Sequence, residues 1–95
     1  MVFEFESEVI EWRGPAPFYF AKTPDAVTEE LERSAGHLSY GWGCIPVDVT
    51  IGKTTFYTAL IPRDDAYFVP LKVAVRKSEV INLGDVLHVS LKLKA

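Results

Sequence analysis

Residues 45–61, IPVDVTIGKTTFYTALI, carry both the alternation and the turn of a β-hairpin. The apolar positions of the first half are Ile45, Val47, Val49 and Ile51. Polar residues or proline separate them, as expected for a strand with one buried face. A Gly-Lys pair then favours a tight turn, after which TTFYTALI would return beside the first strand. The hairpin therefore predicts a mainly β protein.

Four other segments have compositions typical of strands. They are residues 2–12, 18–22, 68–76 and 86–94. In the third of them, FVPLKVAVR, the predicted inward side chains are Leu71, Val73 and Val75, and the outward ones are Lys72, Ala74 and Arg76. Together with the hairpin, these segments make six predicted strands.

The first strand segment, VFEFESEVIEW, changes phase halfway along. Phe3 and Phe5 alternate with glutamates, whereas Val9 and Ile10 are adjacent. A β-bulge near Val9–Ile10 would return the apolar side chains, including Trp12, to one face. Such a bulge would also help the sheet to curl, so we predict one there.

The stretch TPDAVTEELERSAG, residues 23–36, has the start, the period and the end of a helix. Thr23 is the expected N-cap, and Pro24 suits the first helical position because its missing N–H has no partner there. Apolar side chains recur on one stripe, and a glycine follows the last turn. We predict one α-helix over about residues 24–35.

Six strands that each have one apolar face need more cover than a single helix can supply. An open sheet would also leave two apolar edges free to pair with other chains. A small closed six-stranded β-barrel, with the helix capping one end, meets both constraints. We therefore predict one mainly β domain over residues 1–95.

The 95 residues carry a formal net charge of −3 and one cysteine. Phosphate binding needs a basic surface, so nucleic acid is not the expected partner. Cys44 has no partner for an internal disulfide, which fits a reducing compartment. The glutamates of the N-terminus are unlike a signal peptide, and no apolar run approaches the ~20 residues of a membrane span. We expect a cytoplasmic protein that makes no membrane contact.

Three separated stretches resemble one family. They are EWRGPAPFYFAKTP (11–24), GWGCIPVDVTIGKTTFYTALIP (41–62) and YFVPLKVAVRKSEVINLGDVLHVSL (67–91). In this order they are similar to the family catalogued as domain of unknown function 1905, over about residues 3–93. Phe56 departs from the family pattern, which more often has tryptophan there. The resemblance implies a small closed β-barrel with a helix, and it implies no activity, because none is established for the family.

Gly84-Asp85 also resembles the Gly-Asp turn of cradle-loop barrels. Glycine permits a positive φ, and the aspartate carboxylate can accept backbone donors across a turn. We interpret this pair as a structural turn lock.

Lys72 and Arg76 are the strongest candidates for a binding site. On a strand they would share one face about 13 Å apart, with Ala74 as a flat floor between them. Two long cations over a small residue could hold a carboxylate or a phosphate. The alternative is ordinary ion pairing with acidic neighbours, for which the sequence offers Asp48, Asp64, Asp65 and the N-terminal glutamates.

Two aromatic residues are added to this candidate site. Trp42 lies between two glycines, so its ring could turn inward to plug the barrel or outward to meet a ligand. Tyr67 precedes the strand that carries the basic pair. The candidate ligand-binding residues are thus Lys72, Arg76, Trp42 and Tyr67.

Candidates for catalysis or metal binding are few. The thiol and imidazole side chains are Cys44, His37 and His88, and their spacing suggests neither a nucleophilic site nor a zinc site. Phosphate-loop and dinucleotide-binding patterns do not occur either. We predict no catalytic residue, no metal and no cofactor.

These observations predict a non-catalytic binding or interaction module for an anionic small molecule or an acidic partner segment. Two alternatives stay open. One is an enzyme of unknown reaction that uses the same cleft, which a strongly shifted carboxylate or histidine would favour. The other is a purely structural accessory domain that forms a homodimer through an apolar patch.

Overall fold

The computed structural model describes residues 2–12, 18–35 and 43–94. The elements are β1 (Val2–Trp12), β2 (Phe18–Lys22), α1 (Asp25–Ala35), β3 (Ile45–Ile51), β4 (Thr54–Arg63), β5 (Ala66–Pro70), α2 (Val73–Ser78) and β6 (Val86–Leu93). The structure thus has strands at all six predicted places, and α1 lies where the helix is expected. The second helix, α2, was not predicted.

The strands close into a barrel in the order β1-β2-β5-β4-β3-β6. Each neighbouring pair is antiparallel, and the last strand returns to the first, with Phe5 opposite Val89. This confirms the prediction of a mainly β fold built on a closed six-stranded barrel.

The main hydrophobic core fills the barrel. Its fully buried members on the strands are Val9, Ala21, Ile45, Val47, Val49, Leu60, Val69, Val89 and Leu91. Leu31 of α1 is fully buried in the same core, so this helix packs against the barrel through its apolar stripe. On β6 the outward His88 and Lys92 are exposed, as the alternation predicts.

Thr23, the predicted N-cap, has a different role. Its N–H donates to the carbonyl of Tyr67 at 2.9 Å, and its Oγ1 accepts the Tyr67 N–H at 3.1 Å. The same Oγ1 lies 2.7 Å from Oγ1 of Thr28 on α1. Thr23 therefore continues the pairing of β2 with β5 and ties α1 to that pair.

The predicted strand over residues 68–76 is wrong beyond Pro70. Residues 73–78 form α2, so Val73 is 55% exposed while Leu71 and Val75 are buried. Apolar residues at 71, 73 and 75 fit a strand, but 71 and 75 alone fit one face of a helix. Because Pro70 lacks an N–H, it also favours the end of the ladder.

The predicted bulge near Val9–Ile10 is not present, because both ladders of β1 are unbroken. Residues 2–8 pair with β6 and residues 9–12 pair with β2, each in one continuous register. Ile10 and Trp12 therefore stay on the outer face. They belong to a second hydrophobic cluster, which contains Ile10, Trp12, Phe20, Ile61, Ala66 and Phe68.

We call Trp12, Phe20 and Phe68 the outer aromatic cluster. The ring centroid of Trp12 lies 4.1 Å from that of Phe20 and 4.9 Å from that of Phe68. The Arg63 guanidinium covers the Trp12 ring at 4.3 Å. Phe20 and Phe68 are almost fully buried, so the barrel buries aromatic side chains on part of its outside as well.

Within the described ranges, neither helix is long and apolar enough to cross a membrane.

The outer aromatic cluster should contribute to stability as a core does. We expect Phe68→Ala to lower the free energy of unfolding by about 3–5 kcal/mol, because it empties a buried aromatic site. Phe18→Ala is the matched control on the same outer surface, where the side chain is 60% exposed, and it should cost less than about 1 kcal/mol. Urea denaturation measures both. Equal costs for the two variants would contradict a second core.

Val80 should be a site of backbone strain. It has a φ of 52° and is 76% exposed, and a β-branched residue is disfavoured in the left-handed region. We expect Val80→Gly to raise the free energy of unfolding by about 0.5–1 kcal/mol. Val86→Gly, at an exposed position of β6, should instead lower it. A loss of stability in both variants would show that Val80 is unstrained.

Candidate functional site

A groove of about 370 Å³ lies between β2 and α2. The described residues that line it are Phe18, Tyr19, Phe20, Pro70, Leu71, Lys72, Val73 and Arg76. Its walls are mainly aromatic and aliphatic, and its cations are Lys72 and Arg76. The groove therefore combines an apolar surface with two positive charges.

The end of the β2–β5 ladder positions the two walls. Phe20 is paired with Pro70, and the Leu71 N–H donates to the Tyr19 carbonyl at 2.9 Å. The chain then turns into α2, which begins at Val73. This places the first turn of α2 beside β2 and leaves the groove between them.

The far end of α2 is attached to the turn between β3 and β4. Thr54 Oγ1 donates to Glu79 Oε2 at 2.5 Å and lies 2.8 Å from Ser78 Oγ. Gly52 has a φ of 59°, and a Cβ at that position would overlap the Glu79 carboxylate. These contacts hold α2, and with it one wall of the groove, against the barrel.

Arg76 is held on two sides by the protein. Its Cζ lies 4.2 Å from the centroid of the Tyr19 ring, a cation–π contact. Its Nε donates to the Leu71 carbonyl at 3.1 Å. The two terminal nitrogens of the guanidinium are left with no hydrogen-bond partner among the described residues.

The two predicted cations are neighbours, although not on a strand. The Arg76 N–H donates to the Lys72 carbonyl at 3.0 Å, which is the first helical bond of α2. Residues four apart on a helix rise only about 6 Å along its axis. The helix therefore brings Lys72 and Arg76 closer together than the strand predicted from the sequence would.

The carboxylates proposed as ion-pair partners for the basic pair are engaged elsewhere or are more distant. Asp48 Oδ2 lies 3.2 Å from Lys94 Nζ, and Asp64 Oδ2 lies 3.9 Å from Arg63 Nε. Over residues 2–12, 18–35 and 43–94, no carboxylate oxygen lies within 4.0 Å of the charged nitrogens of Lys72 or Arg76. Among the described residues, neither cation therefore forms an ion pair, and both line the groove.

The other two predicted site residues are not brought to the groove by the described structure. Tyr67 is a buried member of the main core and does not line the groove. Burial raises the pKa of its hydroxyl, and the negative charge of Glu32 adds to the rise. Trp42 lies outside the described residues, as does His37, so the plug and platform alternatives for Trp42 both stay open.

The remaining titratable candidates have ordinary structural surroundings. His88 Nε2 lies 2.9 Å from Glu4 Oε1 on the exposed outer face, and Cys44 is half-buried. Asp85 Oδ2 accepts the Asn82 N–H at 2.8 Å beside Gly84, whose φ is 89°, in agreement with a turn lock. In the part of the chain that the structure describes, no three His, Cys, Asp or Glu side chains are grouped to hold a metal.

A second hollow, of about 460 Å³, lies where β1 meets the start of α1. Its charged lining residues are Glu6, Glu8, Lys22 and Asp25. Three carboxylates and one lysine give it negative character, opposite to that of the groove. It is therefore a poor match for the anion predicted from the sequence.

Sequence reasoning missed the aromatic wall of the groove. Phe18, Tyr19 and Phe20 are consecutive and were predicted only as a strand. The run of three aromatic residues was a signal of an apolar surface on both faces of β2. The opposite wall could not be predicted either, because the residues of α2 were predicted as a strand.

Comparison with known proteins covers the same part of the molecule. The family model described as "Domain of unknown function (DUF1905)" matches residues 5–91, from the fourth residue of β1 well into β6. The matched range includes every described residue that lines the groove. A comparison with curated proteins found no match. The chain therefore belongs to the family called domain of unknown function 1905.

Proposed function

We propose that this protein is a non-catalytic binding module that holds an anionic small molecule in the groove between β2 and α2. The observation that carries the proposal is the set of contacts made by the Arg76 guanidinium. The guanidinium is fixed by Tyr19 and Leu71, yet no described carboxylate oxygen lies within 4.0 Å of it.

A fixed arginine binds an anion more strongly than a mobile one. Ordering a long side chain on binding costs about 0.5–1.5 kcal/mol, and here that order is already present. The planar fork of the guanidinium also matches the two oxygens of a carboxylate or a phosphate. Arg76 is therefore proposed as the main anion contact.

Lys72 would add a second positive charge at the same end of the groove. Its side chain is exposed, so its attraction for an anion is weaker and depends on salt. Apolar walls beside the half-buried Arg76 lower the local dielectric constant, which strengthens its attraction for an anion. We propose Lys72 as a supporting contact.

The size of the groove favours a small molecule over a peptide segment. Ligand pockets commonly enclose about 300–1,000 Å³, and 370 Å³ is near the lower end of that range. An acidic partner segment would need a longer basic surface than this one pair provides.

Lysine and arginine hold anions without accepting protons at neutral pH, which favours binding over catalysis. We retain a cytoplasmic location as part of the proposal, because a reducing compartment keeps Cys44 as a thiol.

A thermal-shift screen with anionic metabolites, followed by calorimetry, tests this function. We expect at least one anion to stabilise the wild type. Arg76→Ala should weaken its binding by about 10-fold to 100-fold, since hydrogen bonds to a charged group contribute about 1.5–3 kcal/mol. Lys72→Ala should weaken binding by less.

Lys77→Ala is the matched control. It removes the same charge from the residue next to Arg76, but Lys77 does not line the groove. It should change affinity by less than about twofold. The proposal is wrong if no anion binds the wild type, or if Lys77→Ala weakens binding as much as Arg76→Ala. Melting of each variant without ligand shows whether it is folded.

A further inference from the structure

The geometry points to the chemical class of the ligand, which we infer to be a free aromatic monocarboxylate. Its carboxylate would lie on Arg76, and its ring would lie against Phe18 and Phe20. This inference rests on the proposed function, because it assigns a ligand to the same groove.

Arg76 favours a single planar anionic group. Its Nε is already used by the Leu71 carbonyl, and one face of the guanidinium is covered by Tyr19. What remains is the edge formed by the two terminal nitrogens, which can donate two parallel hydrogen bonds to one carboxylate. Lys72 adds a point charge without a fixed direction. The pair thus suits a compact anion better than a chain of phosphates.

The apolar walls of the groove favour a ligand that carries an apolar group beside its anionic one. Phe18 of β2 and Val73 of α2 both line the groove, and they are 60% and 55% exposed. An aromatic ring between them would remove both side chains from water. The hydroxyl groups of a sugar phosphate would instead lose water against walls that offer few hydrogen-bond partners. The apolar walls and the cationic end therefore fit opposite ends of one amphipathic molecule.

Phe20 gives this inference its own spectroscopic signal. It lines the groove and also belongs to the outer aromatic cluster, where its ring centroid lies 4.1 Å from that of Trp12. A ring bound against Phe20 would shift the Phe20 side chain and so change the environment of the adjoining Trp12 indole. The indole N–H signal of Trp12 in an NMR spectrum can therefore report an occupied apolar wall, and Trp12→Phe identifies that signal.

The experiment compares 3-phenylpropionate with ligands that lack its ring, its carboxylate or its aromatic character. The probes are 3-phenylpropionate, propionate, 3-phenyl-1-propanol, 3-cyclohexylpropionate and inorganic phosphate. We expect 3-phenylpropionate to bind at least tenfold more tightly than propionate, inorganic phosphate or the alcohol, and severalfold more tightly than the cyclohexyl compound. At saturation it should shift the Trp12 indole signal, whereas propionate and inorganic phosphate should not.

Two variants test the two ends of the groove separately. Phe18→Ala should weaken 3-phenylpropionate at least fivefold and leave any propionate binding unchanged. Tyr57→Ala is the control, because Tyr57 is equally exposed at 60% but lies on β4 outside the groove, and it should change nothing. Arg76→Lys should not restore the affinity lost in Arg76→Ala, because lysine cannot form the paired hydrogen bonds.

The outcomes separate the ligand class from the function. If propionate or inorganic phosphate binds as tightly as 3-phenylpropionate and Phe18→Ala has no effect, the groove is an anion site but the aromatic class is wrong. Equal binding of the cyclohexyl compound also overturns the aromatic class. Tighter binding of an acetylated peptide that ends in phenylalanine overturns the assignment to a free small molecule. If no anion binds, both the class and the proposed function fail.

Discussion

The antiparallel pairing of β1 with β6 is the constraint on which the rest of the structure depends. It runs from Val2 opposite Lys92 to Glu8 opposite Val86, and it joins the first strand of the chain to the last. Without it the sheet would have two free edges and a half-covered apolar face. With it, Val89 and Leu91 of β6 are enclosed in the main core. Closure therefore turns alternating strands of modest length into one continuous interior.

Closure also explains why β1 has two kinds of outer face. Its first half pairs with β6 and presents Glu4, Glu6 and Glu8 to water. Its second half pairs with β2, and there the outward side chains join the second hydrophobic cluster. The change of phase at Val9–Ile10 is real in the sequence, but it marks a change of neighbour along one regular strand. A bulge was the simpler expectation only because the neighbours of β1 were unknown.

The barrel was predictable because alternation of apolar and polar residues over several strands has few packing solutions. Single elements were harder to predict where one pattern of apolar residues fits both a strand and a helix. Leu71, Val73 and Val75 fit a strand as well as a helical turn, and burial in three dimensions decided between them. For the candidate site, the chemistry of Lys72 and Arg76 was visible in the sequence, but the distance between them was not.

The remaining site predictions depended on contacts between distant parts of the chain. Tyr67 was grouped with the basic pair by proximity in sequence, whereas the structure places its side chain in the main core and pairs its backbone with Thr23. The aromatic wall on β2, Phe18–Phe20, lies 56 to 58 residues before Arg76 in the sequence. Only the pairing of β2 with β5 reveals that the two meet.

The groove forms where the pairing of β2 with β5 ends. The residues that would bind a ligand are therefore largely distinct from the core residues that stabilise the barrel. Pro70 ends β5, and the following turn into α2 places Arg76 over Tyr19. Phe18 and Val73, which would contact a ligand, are largely exposed, whereas most of the fully buried side chains belong to the closed sheet. Exposed side chains contribute little to folding, so substitutions at the groove can alter ligand choice at small cost to the barrel. Two lining residues are exceptions. Phe20 is almost fully buried in the outer aromatic cluster, so its substitution would cost stability. Leu71 is buried in the core while its carbonyl orients Arg76, so the barrel itself sets the direction of the anion contact.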